Sequence, residues 1–313
     1  IARSSRLPWM NLRYIVTLGN QLDATCADWL EALAEDPEVA VLGCYVEGFR
    51  PLDGVRWLEI ARRITEGGRR VVLYRGGRTH AGAQAAASHT ASIAGDTEVS
   101  LALARSAGVL VAESLEHFED LLSLAVAWKD KTARGRRLGA VSNAGYECVA
   151  IGDGLGRFSL PELSQASLRG IADVLEQKGL GSLVTPGNPL DLTPMADDEG
   201  FAEAARRVLE DPGVDLGLVG CVPQTRALET LEPSPVHEED LHAFGAVAGR
   251  LRRLSEETVI PWAAVVDSGS AYDGLALELQ RGGVATFRTV DRALAAITPW
   301  VEVGLSFLRP LNP

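Results

Sequence analysis

No apolar run in these 313 residues approaches the ~20 needed to span a bilayer, so the sequence offers no helical membrane anchor. Its start, Ile1-Ala-Arg-Ser-Ser-Arg, has no signal-peptide core and no initiator methionine. It reads as a fragment or a processed form of a cytoplasmic chain. Cysteine is scarce and unpatterned. Cys26, Cys44, Cys148 and Cys221 show no C-x-x-C spacing, which indicates neither a zinc site nor a disulfide framework. Cys44 and Cys221 fall in apolar strand patterns and read as small buried hydrophobes. Positive charge is also short: 30 Lys and Arg face 42 Asp and Glu, a net charge of -12. That balance argues against nucleic acid or an anionic membrane as partner. Any phosphate held here depends on local donors. No P-loop occurs, and Gly67-Gly68 and Gly282-Gly283 sit at helix ends, where they read as C-caps.

What is present is a globular composition, 46% hydrophobic and 23% charged, with length for two domains. The halves echo one another. Asp36-Pro-Glu-Val-Ala-Val-Leu-Gly-Cys is matched by Asp211-Pro-Gly-Val-Asp-Leu-Gly-Leu-Val-Gly-Cys, and Gly108-Val-Leu-Val-Ala by Gly283-Val-Ala-Thr-Phe. Short β-branched runs alternate with amphipathic helices, the pattern of parallel sheets covered on both faces. Strands are expected near 13–18, 39–46, 70–74 and 109–112, then near 137–142, 183–185, 215–221, 261–266 and 284–287. Helices are expected near 26–35, 55–66, 96–107, 115–128, 146–154, 164–178, 198–210, 237–256, 271–281 and 290–298. The polar stretch Lys129–Arg137 marks a boundary. The fold expected is α/β, two tandem flavodoxin-like domains at 1–134 and 135–313. One large sheet with many insertions is the alternative.

The most informative segment runs from Tyr74 to Gly95. It holds His89 between Ser88 and Thr90, among alanines and glycines that leave room for backbone to approach a ligand. A strand precedes it and a helix follows, so it leaves the carboxyl end of a strand, where open α/β sheets carry their chemistry. A neutral imidazole is a competent nucleophile toward phosphorus. Ser88 and Thr90 could organise amides around the product, and Arg75 and Arg78 could hold its oxygens. A carboxylate on the far ring nitrogen would fix the tautomer, and Glu47, closing the second strand, is the candidate. Both residues have plainer readings: His89 as a surface or capping residue, Glu47 as a solvated loop acid.

Gly19-Asn-Gln, Asp36-Pro-Glu-Val, Tyr45-Val-Glu-Gly, Gly77-Arg-Thr with Ala87-Ser-His-Thr and Gly95, Ser142-Asn-Ala-Gly and Asn188-Pro-Leu-Asp-Leu occur in this order across nearly the whole chain. Together they resemble the NDP-forming acyl-CoA synthetases of the succinyl-CoA synthetase superfamily. That resemblance implies the tandem CoA-ligase domains of an acid–thiol ligase interconverting acyl-CoA, NDP and phosphate with acid, NTP and CoA. It implies His89 as the phosphorylated histidine and Glu47 as the acid that orients it, with Ser88 and Thr90 in the phosphate cradle. Gly19 and Asn20 would line the acyl-phosphate site, and Asn143, Ala144 and Gly145 would open a helix toward phosphate. CoA and ATP or ADP with Mg2+ are implied for the whole enzyme. So are a CoA-binding Rossmann domain and an ATP-grasp domain or subunit as partners, with the nucleotide site outside this chain, and a homo-oligomer.

The chain departs from the family pattern in reading Arg75 for Lys, Ala91 for Gly, and Tyr146-Glu147 after Asn-Ala-Gly. A non-catalytic acyl-CoA- or phosphate-binding module, or a scaffold docking an ATP-grasp partner, is therefore the second reading. No Ser-His-Asp order or nucleophile elbow supports a hydrolase.

Overall fold

The computed structural model describes residues 2–7, 9–87 and 97–308. They form two compact units, one of residues 1–129 with 302–313 and the other of 130–301. In the first, helix α1 (Cys26–Ala34) leads into strand β1 (Val41–Val46), α2 (Asp53–Glu66), β2 (Arg70–Arg75) and α3 (His80–Ala87), followed by α4 (Thr97–Ser106), β3 (Leu110–Ala112) and α5 (Leu115–Ala127). The strands pair in parallel in the order β1-β2-β3. Parallel pairing brings the carboxyl ends of all three strands to one edge, so Glu47, Gly76 and Glu113 leave the sheet on the same side.

Local chemistry fixes these elements. Thr25 caps α1 with a reciprocal pair: its hydroxyl accepts from the Asp28 amide at 3.3 Å, and Asp28 accepts from the Thr25 amide at 2.8 Å. Ser114 caps α5. The α2 helix stops at Gly67, and Gly68 takes the left-handed φ of +86° that the turn requires. Trp57, Ile60 and Ile64 of α2 bury their faces against Leu42, Val46, Val71 and Leu73 of the sheet. Each such side chain contributes about 1.5–3 kcal/mol of burial.

The second unit contains β4 (Leu138–Ser142), α6 (Gly145–Asp153), α7 (Gln165–Gln177), β5 (Leu190–Asp191), α8 (Asp198–Leu209), β6 (Leu216–Gly220), α9 (Val247–Glu257), β7 (Trp262–Val265), α10 (Asp273–Arg281) and β8 (Ala285–Phe287). Helix α11 (Val290–Leu308) follows, its residues up to 301 counted with this unit and those from 302 with the first. The strand order β5-β4-β6-β7-β8, all parallel, is the flavodoxin order 2-1-3-4-5. Every residue of β4, β6 and β7 is buried, which is why these strands read as continuous apolar runs rather than alternating ones. The α/β fold of two flavodoxin-like domains is thus present.

Besides α11, which runs past the expected end at 298 to Leu308, four stretches differ from expectation. Residues 13–18 form no strand. Arg13 and the Tyr14 hydroxyl are drawn to Asp36, and Arg13 also to Glu38. Tyr14 and Ile15 stay about half exposed, at 49% and 52%, so the alternation there has no sheet to join. Residues 183–185 form none either; the position beside β4 goes to Leu190–Asp191, where Val141 pairs with Leu190. The helix expected over 237–256 starts only at Val247. Asp240 turns its side chain onto the His242 amide at 2.9 Å and Gly245 takes a φ of +109°, both incompatible with a helix there. Conversely 80–87, read as loop, is helical.

Asn188 ties this unit together. Its amide nitrogen donates to the carbonyls of Leu138 (2.9 Å) and Pro161 (3.1 Å), and its oxygen accepts from the Ala140 amide at 2.9 Å. Asn188→Ala strands those groups inside β4's flank and is expected to lower unfolding free energy by about 2 kcal/mol. Urea denaturation checks this; an unchanged midpoint would mean water replaces the amide without loss.

Candidate functional site

The carboxyl edge of the first sheet is built by the residues that follow β1 and β2. The Gly76 amide donates to the Val46 carbonyl at 2.8 Å, holding the two strand ends together. Glu47 lies beside Gly76 closely enough that a Cβ there would stand 3.2 Å from the Glu47 Cγ. The Tyr45 hydroxyl, two residues back on the same face of the strand, donates to Glu47 Oε1 at 3.0 Å. Burial, and then the carboxylate, push the Tyr45 phenol above its usual range, so it stays a donor. Among the described residues nothing else reaches the Glu47 carboxylate, which leaves its second oxygen for a further donor.

Arg75 takes a different role from the phosphate contact expected of it. It is only 5% exposed. Its Nη1 donates to the carbonyls of Val46 (3.3 Å), Gly76 (3.0 Å) and Glu47, while Nε has no partner among the described residues. Burial lowers its pKa and the nearby Glu47 carboxylate opposes that shift. The guanidinium therefore clamps the backbone of both strand ends from beneath. Arg78 is the exposed cation of the pair. It bonds the Glu113 carbonyl and lies over the Tyr74 ring, 5.3 Å from its centroid, a cation–π contact. Tyr74 in turn stacks on Tyr45 at 5.6 Å. His89, Ser88 and Thr90 fall outside the described residues, as does Ala91. His80 is exposed at the start of α3.

Gly19 and Asn20 form an exposed bend. The next residue, Gln21, was not singled out from the sequence, yet it joins this bend to the Glu47 loop. Its Nε2 donates to the Gly48 carbonyl at 2.9 Å and its Oε1 accepts from the Cys26 amide at 3.1 Å. Gln21 has a φ of +53°. Tyr45 was missed as well, although its i, i+2 spacing from Glu47 on a strand was a usable signal.

In the second unit Asn143, Ala144 and Gly145 lie at the carboxyl end of β4, beside β6, where the strand order reverses. The Asn143 amide bridges to the backbone of Val222, donating and accepting at 2.8 Å. Ala144 donates its amide to the Ser142 hydroxyl at 3.1 Å. No side chain caps α6, whose first residues Gly145 and Tyr146 are exposed. Uncapped helix N-termini favour anions. Yet three carboxyl groups border this one. Asp191 would lie 3.0 Å from a Cβ at Gly145. Asp267 raises the pKa of Tyr146, behind burial as the larger cause, to about 12. Glu147 is fully buried: its Oε2 accepts from the Ser142 hydroxyl at 2.5 Å and its Oε1 has no partner among the described residues. Burial, with Asp267 adding and Ser142 opposing, raises the Glu147 pKa to about 7. A Cβ at position 220 would sit 1.6 Å from Glu147 Oε2, so only glycine there admits the carboxyl group.

The acids Asp197, Asp198 and Glu199 serve α8: Asp197 caps it through the Gly200 amide at 2.7 Å, and Lys178 pairs with Asp197 and Glu199. His242 pairs with Glu232 at 2.8 Å in the loop that follows β6.

Comparison with known proteins gives a consistent result. Residues 2–125 match the family described as succinyl-CoA ligase like flavodoxin domain. Subunit alpha of the ADP-forming acetate–CoA ligase II of Pyrococcus furiosus is 31% identical over 212 residues, 68% of this chain and 44% of that subunit. The ADP-forming 4-hydroxybutyrate–CoA ligase of Nitrosopumilus maritimus is 29% identical over 215 residues, 67% of this chain and 29% of that enzyme. The dinucleotide forming acetyl-coenzyme A synthetase 1 of Ca. Korarchaeum cryptofilum, solved with phosphate and ADP, superposes with a TM-score of 0.76 at 25% identity, covering 96% of this chain and 61% of that one. The chain thus spans less than half the length of the P. furiosus and N. maritimus relatives. Among the described residues no helix is long and apolar enough to cross a membrane.

Proposed function

We propose that this relative of the ADP-forming acyl-CoA synthetases, with its succinyl-CoA ligase like flavodoxin domain at residues 2–125, is the CoA-ligase core of such an enzyme. In this reading His89 accepts a phosphoryl group from an acyl phosphate and passes it on toward a nucleoside diphosphate. Attack by one ring nitrogen forms the N–P bond and expels the carboxylate of the acid; Glu47 accepts a hydrogen bond from the other nitrogen. Ser88, Thr90 and Arg78 receive the phosphoryl oxygens, and Gly19 and Asn20 line the acyl-phosphate side. Arg75 acts from below, where its Nη1 bonds fix the Glu47 backbone. In the second unit Asn143, Ala144 and Gly145 form a further anion cradle. The division into domains at 134/135, a cytoplasmic setting and a homo-oligomer belong to the same reading.

The observation that carries it is Glu47. Its carboxylate stands at the strand end beside the start of the histidine segment, with one oxygen held by Tyr45 and, among the described residues, no partner on the other. CoA, ATP or ADP with Mg2+, a CoA-binding Rossmann domain and an ATP-grasp domain or subunit complete the proposed enzyme. The P. furiosus relative is called subunit alpha, which supports a partner on another chain.

The test is direct. The chain, incubated with an ATP-grasp partner, Mg2+ and labelled ATP, is expected to take up acid-labile phosphate. Trypsin releases Thr79–Arg105 as one peptide carrying both His80 and His89. Fragmentation should place the phosphate on His89. Phosphate on His80, or none, would sink the carrier role and leave a binding or docking module.

A further inference from the structure

We infer that Gln21 is a positioning residue that tethers the Gly19–Asn20 bend to the Glu47 loop, so that the acyl side of the site keeps a fixed distance from the acid behind the histidine. This rests on the proposed acyl-CoA reading and adds to it a residue that touches neither reacting atom. The stretch carrying the bend has little else to hold it. Residues 13–24 form no helix or strand, and among the described residues no backbone hydrogen bond joins them to another segment. Arg13 and Tyr14 fix its near end through Asp36 and Glu38. Thr25 fixes the far end, capping α1 and donating its hydroxyl to Asp53 Oδ1 at 2.7 Å. Between Tyr14 and Thr25, the Gln21 side chain makes the only hydrogen bonds among the described residues.

Those bonds run in opposite senses, and an amide side chain supplies both a donor and an acceptor. Nε2 donates to the Gly48 carbonyl at 2.9 Å, one residue past Glu47, and Oε1 accepts from the Cys26 amide at 3.1 Å, where α1 begins. Together they hold Gln21 at a φ of +53°, a left-handed conformation that residues other than glycine rarely adopt and that persists where the surroundings impose it. Glu47 has anchors of its own. Arg75 bonds the carbonyls of Val46, Glu47 and Gly76, and the Gly76 amide bonds the Val46 carbonyl at 2.8 Å. Removing the Gln21 side chain therefore frees the bend and leaves Glu47 in place. The consequence is unequal. Charging His89 from the nucleotide side needs Glu47 but not the bend, whereas passing the phosphoryl group to an acid needs both.

The two half-reactions are timed separately on the full-length protein with its ATP-grasp partner. His89 is first charged from labelled ATP, then chased with acetate, butyrate or benzoate. In the chase a carboxylate oxygen attacks phosphorus, the N–P bond breaks, and the ring nitrogen leaves as neutral imidazole. Gln21→Ala is expected to charge within about two-fold of wild type, yet to discharge about ten-fold or more slowly, with a raised KM for the acid. Gln21→Gly should behave the same way, since it suits the left-handed backbone but lacks the tether. Chymotrypsin, acting on the unliganded chain, should cut faster at Leu18 or Leu22 in both variants. Unchanged discharge, equal slowing of both half-reactions, or wild-type discharge in Gln21→Gly would overturn the inference while leaving the carrier role of His89 standing. A wild type that takes no label, or whose label no acid removes, would end the acyl-CoA reading and this inference with it.

Discussion

Glu47→Gln is expected to slow phosphorylation of His89 by about two to four orders of magnitude while leaving the chain folded. A carboxylate behind an imidazole does two things that an amide cannot. It selects the tautomer whose open nitrogen faces the electrophile, and it stabilises the positive charge that develops on the ring as the N–P bond forms. Losing both in comparable histidine sites costs about 10²–10⁴ in rate. The fold has little stake in the change, because among the described residues the only side-chain bond at Glu47 comes from the Tyr45 hydroxyl, and a glutamine oxygen still accepts it. Single-turnover phosphate transfer measured beside the unfolding curve separates the outcomes. His89→Ala sets the floor of that assay. A rate within a few-fold of wild type at unchanged stability would remove Glu47 from the mechanism. Tyr45→Phe gives the graded comparison, since it deletes one neutral hydrogen bond worth about 0.5–1.5 kcal/mol and keeps the charge.

How far the sequence revealed this depends on the kind of signal each residue carried. Strands β2 to β4 and β6 to β8 were readable because parallel strands covered on both faces are continuous apolar runs, and β1 is also an apolar run although Gly43 and Tyr45 in it are exposed. Glu47 was readable because it ends such a run. Arg75 was readable as a cation near the site but not as a buried clamp, since burial on the flank of a strand depends on which backbone carbonyls converge there. Helix α3 escaped because alanine carries no amphipathic period; the run Ala85-Ala86-Ala87 looks like loop filler, yet alanine has the highest helix propensity of any residue. The stretch at 13–18 misled in the opposite way, its alternation promising a strand for which no neighbour is present.

Glu147 shows the same limit and allows the second large test. In sequence it is an acid at the start of a helix, one of the departures from the family pattern. In the fold it is fully buried behind Ser142, and no described lysine, arginine or histidine pairs with it. Its pKa rises from 4.5 to about 7, with burial as the main cause. Because the folded state holds this proton more tightly than the unfolded chain, its stabilising effect is complete below pH 4.5. It is lost progressively as pH rises toward 7, and the loss amounts to about 3 kcal/mol. Glu147→Gln removes the titration but keeps an acceptor for the Ser142 hydroxyl and the volume that Gly220 makes room for. The variant should therefore match wild type near pH 4 and exceed it by about 3 kcal/mol at pH 8, with the difference opening between those limits. Urea unfolding across that range, followed by a signal from the second unit, measures it. Parallel curves would show that the buried carboxyl group finds a partner or water that holds its charge. A neutral Glu147 also removes one of the three negative charges otherwise bordering the uncapped end of α6. The pH interval that costs the unit stability is thus also the interval in which that helix end becomes less hospitable to phosphate, and weaker phosphate binding at pH 8 than at pH 6 in wild type, absent in Glu147→Gln, would tie the two effects to one proton.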